Sequence, residues 1–209
     1  MSIVSCMRFL KQYIASVFLS CVIIVAFFFF VFNTSWFLAM DQTWYQAITR
    51  HRLEGLVFLF SRITLLGKWY VVIGLAAIVL IVLHKKHAKQ YIVPLLLAIL
   101  GSSTAAAILK IVLQRHRPMN SVSLESSFSF PSGHATIAMA FYGFLAWFLL
   151  KKQKKQFVRG FILILALVLI MLIGFSRLYL GVHYLSDILG GYLLGLIFLG
   201  FCVYKYRAK

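Results

Sequence analysis

Three short clusters in this chain carry groups that can bind and transform an anion. The first is Lys110 and Arg117, seven residues apart, with Pro118 behind them. If an apolar helix runs up to that proline, the two cations share a face. A point charge and a planar fork together suit phosphate oxygens. The plainer reading is two side chains snorkelling from a helix end. The second cluster is Pro131-Ser132-Gly133-His134. Proline and serine open helices well, and a helix N-terminus attracts anions. Gly133 would let backbone N–H groups come close to a ligand. A well-made helix start accounts for all of this except His134, which capping does not need. A bound phosphate dianion would keep that imidazole protonated and make it a general acid. The third cluster is Ser176-Arg177, then His183 and Asp187. A spacing of four predicts one helical face for the last two. A carboxylate on one imidazole nitrogen fixes the tautomer and frees the other nitrogen, as a nucleophilic histidine requires. A structural His–Asp pair has the same spacing. Together the clusters describe a phosphate cradle with an attacker, its orienter and an acid. The residues alone leave open which histidine attacks. A metal held by His134, His183 and Asp187 is the competing chemistry. Against it, Asp41, Glu54, Glu125 and Asp187 are the only acids in the chain, and two-metal phosphatase chemistry usually wants several carboxylates.

These groups must be positioned by helices in a membrane. Of 209 residues, 63% are hydrophobic and 12% charged, with a mean hydropathy of +0.96. Soluble domains are about 45–50% apolar, and about 20 helical residues cross a hydrocarbon core. The expected fold is all-α: one membrane-embedded domain over residues 1–209, an integral-membrane bundle of six transmembrane helices. The spans fall near 13–32, 68–84, 91–113, 133–150, 158–174 and 187–204. The stretch from Leu56 to Leu66 is half a span and contains Arg62, which suggests an interfacial or re-entrant segment. The first apolar run lacks a small-x-small end and reads as a retained span, not a cleaved leader. Cys6, Cys21 and Cys202 are scattered and give neither a metal spacing nor a disulfide framework.

The formal net charge is +17. In a soluble protein that balance would point to nucleic acid. Here it points to membrane lipids instead. Thirteen of the 21 basic residues flank the termini, the 85–89 loop and the 151–159 loop. Six spans put all of these on one side, which is then cytoplasmic and faces anionic headgroups. Both termini lie on that side. The three clusters fall on the other, extracytoplasmic side, where topogenic bias does not explain their cations. An anion transporter would also use intramembrane cations, but a passive path needs no His183–Asp187 pair and no His134. A non-enzymatic scaffold would leave the outer charges unexplained.

Lys110-x6-Arg117-Pro118, Pro131-Ser132-Gly133-His134 and Ser176-Arg177-x5-His183-x3-Asp187 resemble, in order and at every motif position, the three signature motifs of the type 2 phosphatidic acid phosphatase superfamily. The resemblance covers residues 110–187. It implies an integral-membrane lipid phosphatase that works through a phosphohistidine, with no metal or other cofactor. It implies that His183 attacks phosphorus, that Asp187 orients His183, and that His134 protonates the leaving oxygen and then activates water. Lys110, Arg117, Ser132, Gly133 and Arg177 would bind the phosphoryl oxygens. The implied partner is a phosphorylated lipid, with phosphatidylglycerol phosphate first and undecaprenyl pyrophosphate or phosphatidic acid as alternatives. Arg115 and His116 lie between motif positions and receive no role. Selectivity among lipids must reside in the first hundred residues and the loop from Met119 to Phe130, where no code is readable.

Overall fold

The computed structural model describes residues 34–206 except 120, 123 and 124, together with positions 12, 16, 19, 23 and 27. Seven helices follow in order among them. They are α1 (Ser35–Thr49), α2 (Glu54–Ile63), α3 (Trp69–Lys85), α4 (Lys89–Leu113), α5 (Gly133–Lys152), α6 (Gln156–Tyr179) and α7 (Leu185–Tyr206). A 3-10 turn, Thr64–Gly67, joins α2 to α3, and a π segment, Leu97–Gly101, interrupts α4. There is no strand among the described residues. α4 to α7 are each long and apolar enough to cross a membrane. The bent pair of α2 and α3 makes a fifth crossing if it counts as one span. Of the expected first span, 13–32, only positions 16, 19, 23 and 27 are described, and each is helical; the cysteines at 6 and 21 lie outside the described residues.

α5 is the centre of the bundle. It buries small and aromatic side chains around its circumference, among them Ala135, Thr136, Ala138, Phe141 and Phe144. A helix that is apolar on all sides belongs inside a bundle. α7 comes closest to it, because Gly191 and Gly195 stand four apart and face α5. A Cβ at Gly191 would lie 2.6 Å from the Ser132 carbonyl oxygen, and one at Gly195 would lie 2.5 Å from that of Thr136. Small residues at this spacing let two membrane helices touch backbone to backbone. A hydrogen bond from Ser132 N–H to the Asp187 carbonyl, 2.9 Å, ties the starts of the two helices together. α6 instead exposes Leu163, Ile164, Leu165, Leu167, Val168 and Met171, the composition of a lipid-facing wall.

Three boundaries differ from expectation, and each difference moves a site residue. α4 ends at Leu113, where Gln114 turns left-handed with φ 46°. That is four residues before Pro118, so Lys110 and Arg117 do not share a helix face. α6 runs to Tyr179, so Ser176 and Arg177 lie buried inside a helix and not in an outer loop. An apolar window stops at the first polar residues, although these two are polar because they serve the interior. α7 begins at Leu185, so His183 precedes the helix that carries Asp187. The 55–66 stretch forms α2, which with its 3-10 turn is bent 50° from α3. At the bend, a Cβ on Gly67 would meet Ile173 at 2.7 Å and the His134 ring at 3.0 Å. The bend therefore packs directly beside α5's first residues.

Candidate active site

The N-terminal ends of α5 and α7, the C-terminal ends of α4 and α6, and the α2–α3 bend meet at one end of the bundle. Ser132 caps α5: its Oγ accepts from the Ala135 N–H at 3.5 Å. Gly133 faces open space, with no atom within 4 Å of where a Cβ would stand, so packing does not demand a glycine there. His134 follows in the first turn, and its Nε2 is buried without a hydrogen-bond partner. Beside it is a cavity of about 410 Å³ lined by Thr64, Lys68, Trp69, Tyr70, Glu125, His134 and Arg177, among others.

His183 and Asp187 are buried. His183 Nδ1 lies 3.3 Å from Asp187 Oδ2, which also accepts the Tyr184 N–H at 2.9 Å. An acidic side chain in a helix's first turn commonly reaches back in this way to the residue that opens the helix. The same reach joins Asp187 to His183, though the histidine is not helical. On the far side of the ring, Arg117 Nη1 sits 3.1 Å from Nε2. Burial pushes the imidazole down to about 4, with Arg117 and Arg177 adding to the shift and Asp187 opposing it. His183 is therefore neutral at pH 7. With a proton on Nδ1 toward the carboxylate, its Nε2 lone pair points at a guanidinium.

The three expected cations converge with these groups, but each already has partners. Lys110 Nζ donates to the Phe128 carbonyl and, at 3.4 Å, to that of Ser129. Arg117 donates to the carbonyls of Ser127 at 2.6 Å and Val182 at 2.8 Å. Arg177, 2% exposed, donates to Thr64 Oγ1 at 3.1 Å and pairs with Glu125, while its Nε is buried without a partner. Glu125 also stands 4.0 Å from Arg117. Burial alone would raise the Glu125 carboxyl, but Arg177 and Arg117 outweigh it and hold the group below the usual range. The carboxylate thus lies among the guanidinium groups that a phosphoryl group would need. Among the described residues, no three His, Cys, Asp or Glu side chains group as a metal cage would.

Four residues with contacts in this site were not singled out from the sequence. Arg115, passed over as lying between motif positions, donates to Asp187 Oδ1 at 2.6 Å and to Asp41 Oδ2 at 2.6 Å. Asp41 comes from α1, and Thr64 from the 3-10 turn. Glu125 lies in the loop where no code was readable. The available signal was scarcity. In so apolar a chain each of the four acids needs a reason, and three of them, Asp41, Glu125 and Asp187, find cations here.

Phosphatidylglycerophosphatase B of Bacillus subtilis (strain 168) is 44% identical over 97 residues, covering 43% of this chain and 45% of that protein. An undecaprenyl-diphosphatase of Sulfolobus acidocaldarius is 30% identical over 150 residues, covering 68% of this chain and 66% of that protein. The aligned stretches thus span about half to two thirds of these curated relatives. The crystal structure of a transmembrane PAP2-type phosphatidylglycerolphosphate phosphatase from Bacillus subtilis superposes with a TM-score of 0.79 at 30% identity, covering 93% of this chain and 96% of that one. The family model described as PAP2 superfamily matches residues 91–209, the stretch that holds all three clusters. On that match, and on a fold shared along nearly its whole length with a solved member, this multi-pass membrane protein belongs to the PAP2 superfamily.

Proposed function

We propose that the chain is a single-domain membrane phosphatase that hydrolyses a lipid phosphomonoester in two steps at His183, without a metal. The observation that carries this reading is the pair of contacts on the His183 ring. Asp187 takes the Nδ1 side and a cation faces Nε2, which sets a lone pair where the anionic oxygens of a phosphoryl group would be drawn in and its electrophilic phosphorus attacked. In the first step Nε2 attacks phosphorus, an N–P bond forms and the P–O bond to the lipid breaks. His134 gives its proton to the leaving lipid oxygen. In the second step water attacks the phosphohistidine, His134 takes a proton from it, and the N–P bond breaks to release inorganic phosphate. Charge gathers on the equatorial oxygens in both transition states. Lys110, Arg117, Arg177, the Ser132 hydroxyl and the Gly133 backbone would neutralise it in a site shielded from water.

The substrate reading rests on the walls of the cavity. Trp69 and Tyr70 at the start of α3 are largely exposed on its rim, and such rings prefer the membrane–water interface. A lipid phosphate entering sideways would bring its headgroup past them to His134. The basic loops at the opposite end of α5 and α6, with Lys151, Lys152 and Arg159, support a cytoplasmic side there, with cytoplasmic termini and an extracytoplasmic site. Phosphatidylglycerol phosphate is the first candidate, supported by the Bacillus subtilis protein and crystal structure named for that activity. Undecaprenyl pyrophosphate is second, supported by the Sulfolobus relative, and phosphatidic acid is third.

The test is phosphate release by the purified protein in detergent from these three lipids and from glycerol 3-phosphate. Release should be fastest from phosphatidylglycerol phosphate and slow from the soluble ester. Equal turnover of soluble and lipid esters would overturn lateral entry, and release from none of them would overturn the enzyme reading.

A further inference from the structure

The contacts around Asp187 extend the site in a direction that the three motifs do not mark. Asp187 is fully buried, and both of its oxygens are engaged. Oδ2 serves His183 and the Tyr184 N–H, while Oδ1 accepts Arg115 Nη1 at 2.6 Å. The other arm of that guanidinium, Nη2, bonds Asp41 Oδ2 at 2.6 Å. Asp41, 2% exposed, is fixed in turn by Ser186, whose N–H donates to Oδ1 at 3.0 Å and whose hydroxyl donates to Oδ2. Ser186 Oγ also lies 2.6 Å from Arg115 Nη1, and the Tyr184 ring lies 4.6 Å below the Arg115 guanidinium carbon. The Arg115 side chain is 8% exposed. These partners occupy the fork on the side of Asp187 away from His183, so it is not turned toward an incoming phosphate.

We infer that Arg115, clamped by Asp41 of α1, is a positioning residue that fixes the Asp187 carboxylate and through it the tautomer and aim of His183. The inference rests on the proposed role of His183. A buried carboxylate without a counter-charge would rotate toward other donors or take up a proton. Either change would remove the acceptor that holds the proton on His183 Nδ1. A guanidinium that bridges Asp187 and Asp41 opposes both, and a lysine in its place can supply charge but not the two-armed geometry. Asp41 adds a tie between α1, early in the chain, and the start of α7, 145 residues later.

The test uses the full-length protein in detergent and the variants Arg115→Gln, Arg115→Lys and Asp41→Asn. Partners that orient a histidine in metal sites are commonly worth about 10–100-fold, and the same order is expected for a carboxylate that orients His183. Arg115→Gln should lower kcat for the best lipid phosphate by that much, with KM within about twofold of wild type. Arg115→Lys should recover part of the loss. Asp41→Asn should act in the same direction, and combining it with Arg115→Gln should add little, because the two act as one unit. An unchanged kcat in protein that merely melts at lower temperature would reduce the network to a structural tie and overturn the inference. A raised KM with unchanged kcat would make Arg115 a substrate contact and equally overturn it. A second readout needs no turnover. The His183 Nδ1–H proton should give a slowly exchanging downfield NMR signal in wild type that is lost in Arg115→Gln and retained in Arg115→Lys. Persistence of that signal in Arg115→Gln would sink the inference whatever the substrate is, whereas its loss in a protein that hydrolyses no lipid would separate this inference from the enzyme reading.

Discussion

His183 shows most clearly how surroundings turn an ordinary side chain into a reagent. Its pKa falls to about 4 because burial disfavours the cation more than Asp187 favours it. The sign is definite: protonation, and with it loss of the proposed nucleophile, begins only as the pH drops toward 4. Ring 15N shifts of labelled protein should therefore report a neutral His183 at pH 6, whereas a free imidazole with a pKa of about 6.5 is mostly charged there. His183→Ala should abolish phosphate release while leaving the protein folded, as judged by size-exclusion profile and circular dichroism. Glu125 offers a test of opposite direction. Its carboxylate shares Arg177 and Arg117 with the space for phosphate. Removing its charge with Glu125→Gln should lower KM, or the inhibition constant of inorganic phosphate, by about fivefold at most, since a partly exposed pair is worth up to about 1 kcal/mol. His134, His183 and Asp187 were legible in the sequence because acid–base chemistry limits which residue types can serve and the motifs keep them at short, fixed spacings. Arg115 and Asp41 were not, because 74 residues separate them and no periodicity links their positions.

Among the helices, α4 to α7 were legible to within a few residues at most ends, since a run of apolar residues has few other fates in a membrane protein. What escaped was where polar residues continue a helix. Ser176 and Arg177 end the apolar window of α6, yet they stay helical and buried because Thr64 and Glu125 receive the guanidinium. The Leu56–Leu66 stretch was legible as an interfacial or re-entrant segment, but its place as a wall beside His134 was not, being set by a long-range contact of Gly67. Helix contact also gives a sharp prediction. Gly191→Ala would press a methyl group against the Ser132 carbonyl, so it should destabilise the protein by about 1–3 kcal/mol and lower activity further by shifting His134. Gly200→Ala, on the same helix with open space around it, should change neither. Thermal melts in detergent with parallel phosphate-release assays compare the two, and equal behaviour would contradict the proposed contact.

For the molecule in its membrane, the proposed orientation rests on charge and can be tested directly. Single cysteines introduced at Ser126 and Gln153, in a background whose native cysteines are changed to serine, should label from opposite sides of intact cells or spheroplasts: position 126 from outside, and position 153 only after permeabilisation. Labelling of both from outside would reverse the assigned topology or break it. The touching backbones of α5 and α7 have a separate consequence. Lipid chains of different length, or a change of temperature, alter lateral pressure on the outer faces of a bundle. Two helices that meet through glycine have no rotamers between them to absorb that pressure and almost no compressible volume. The backbone spacing of the proposed acid and nucleophile should then hold from thin bilayers to thick ones, so that fluidity governs how fast substrate arrives and departs while the reacting groups keep their alignment.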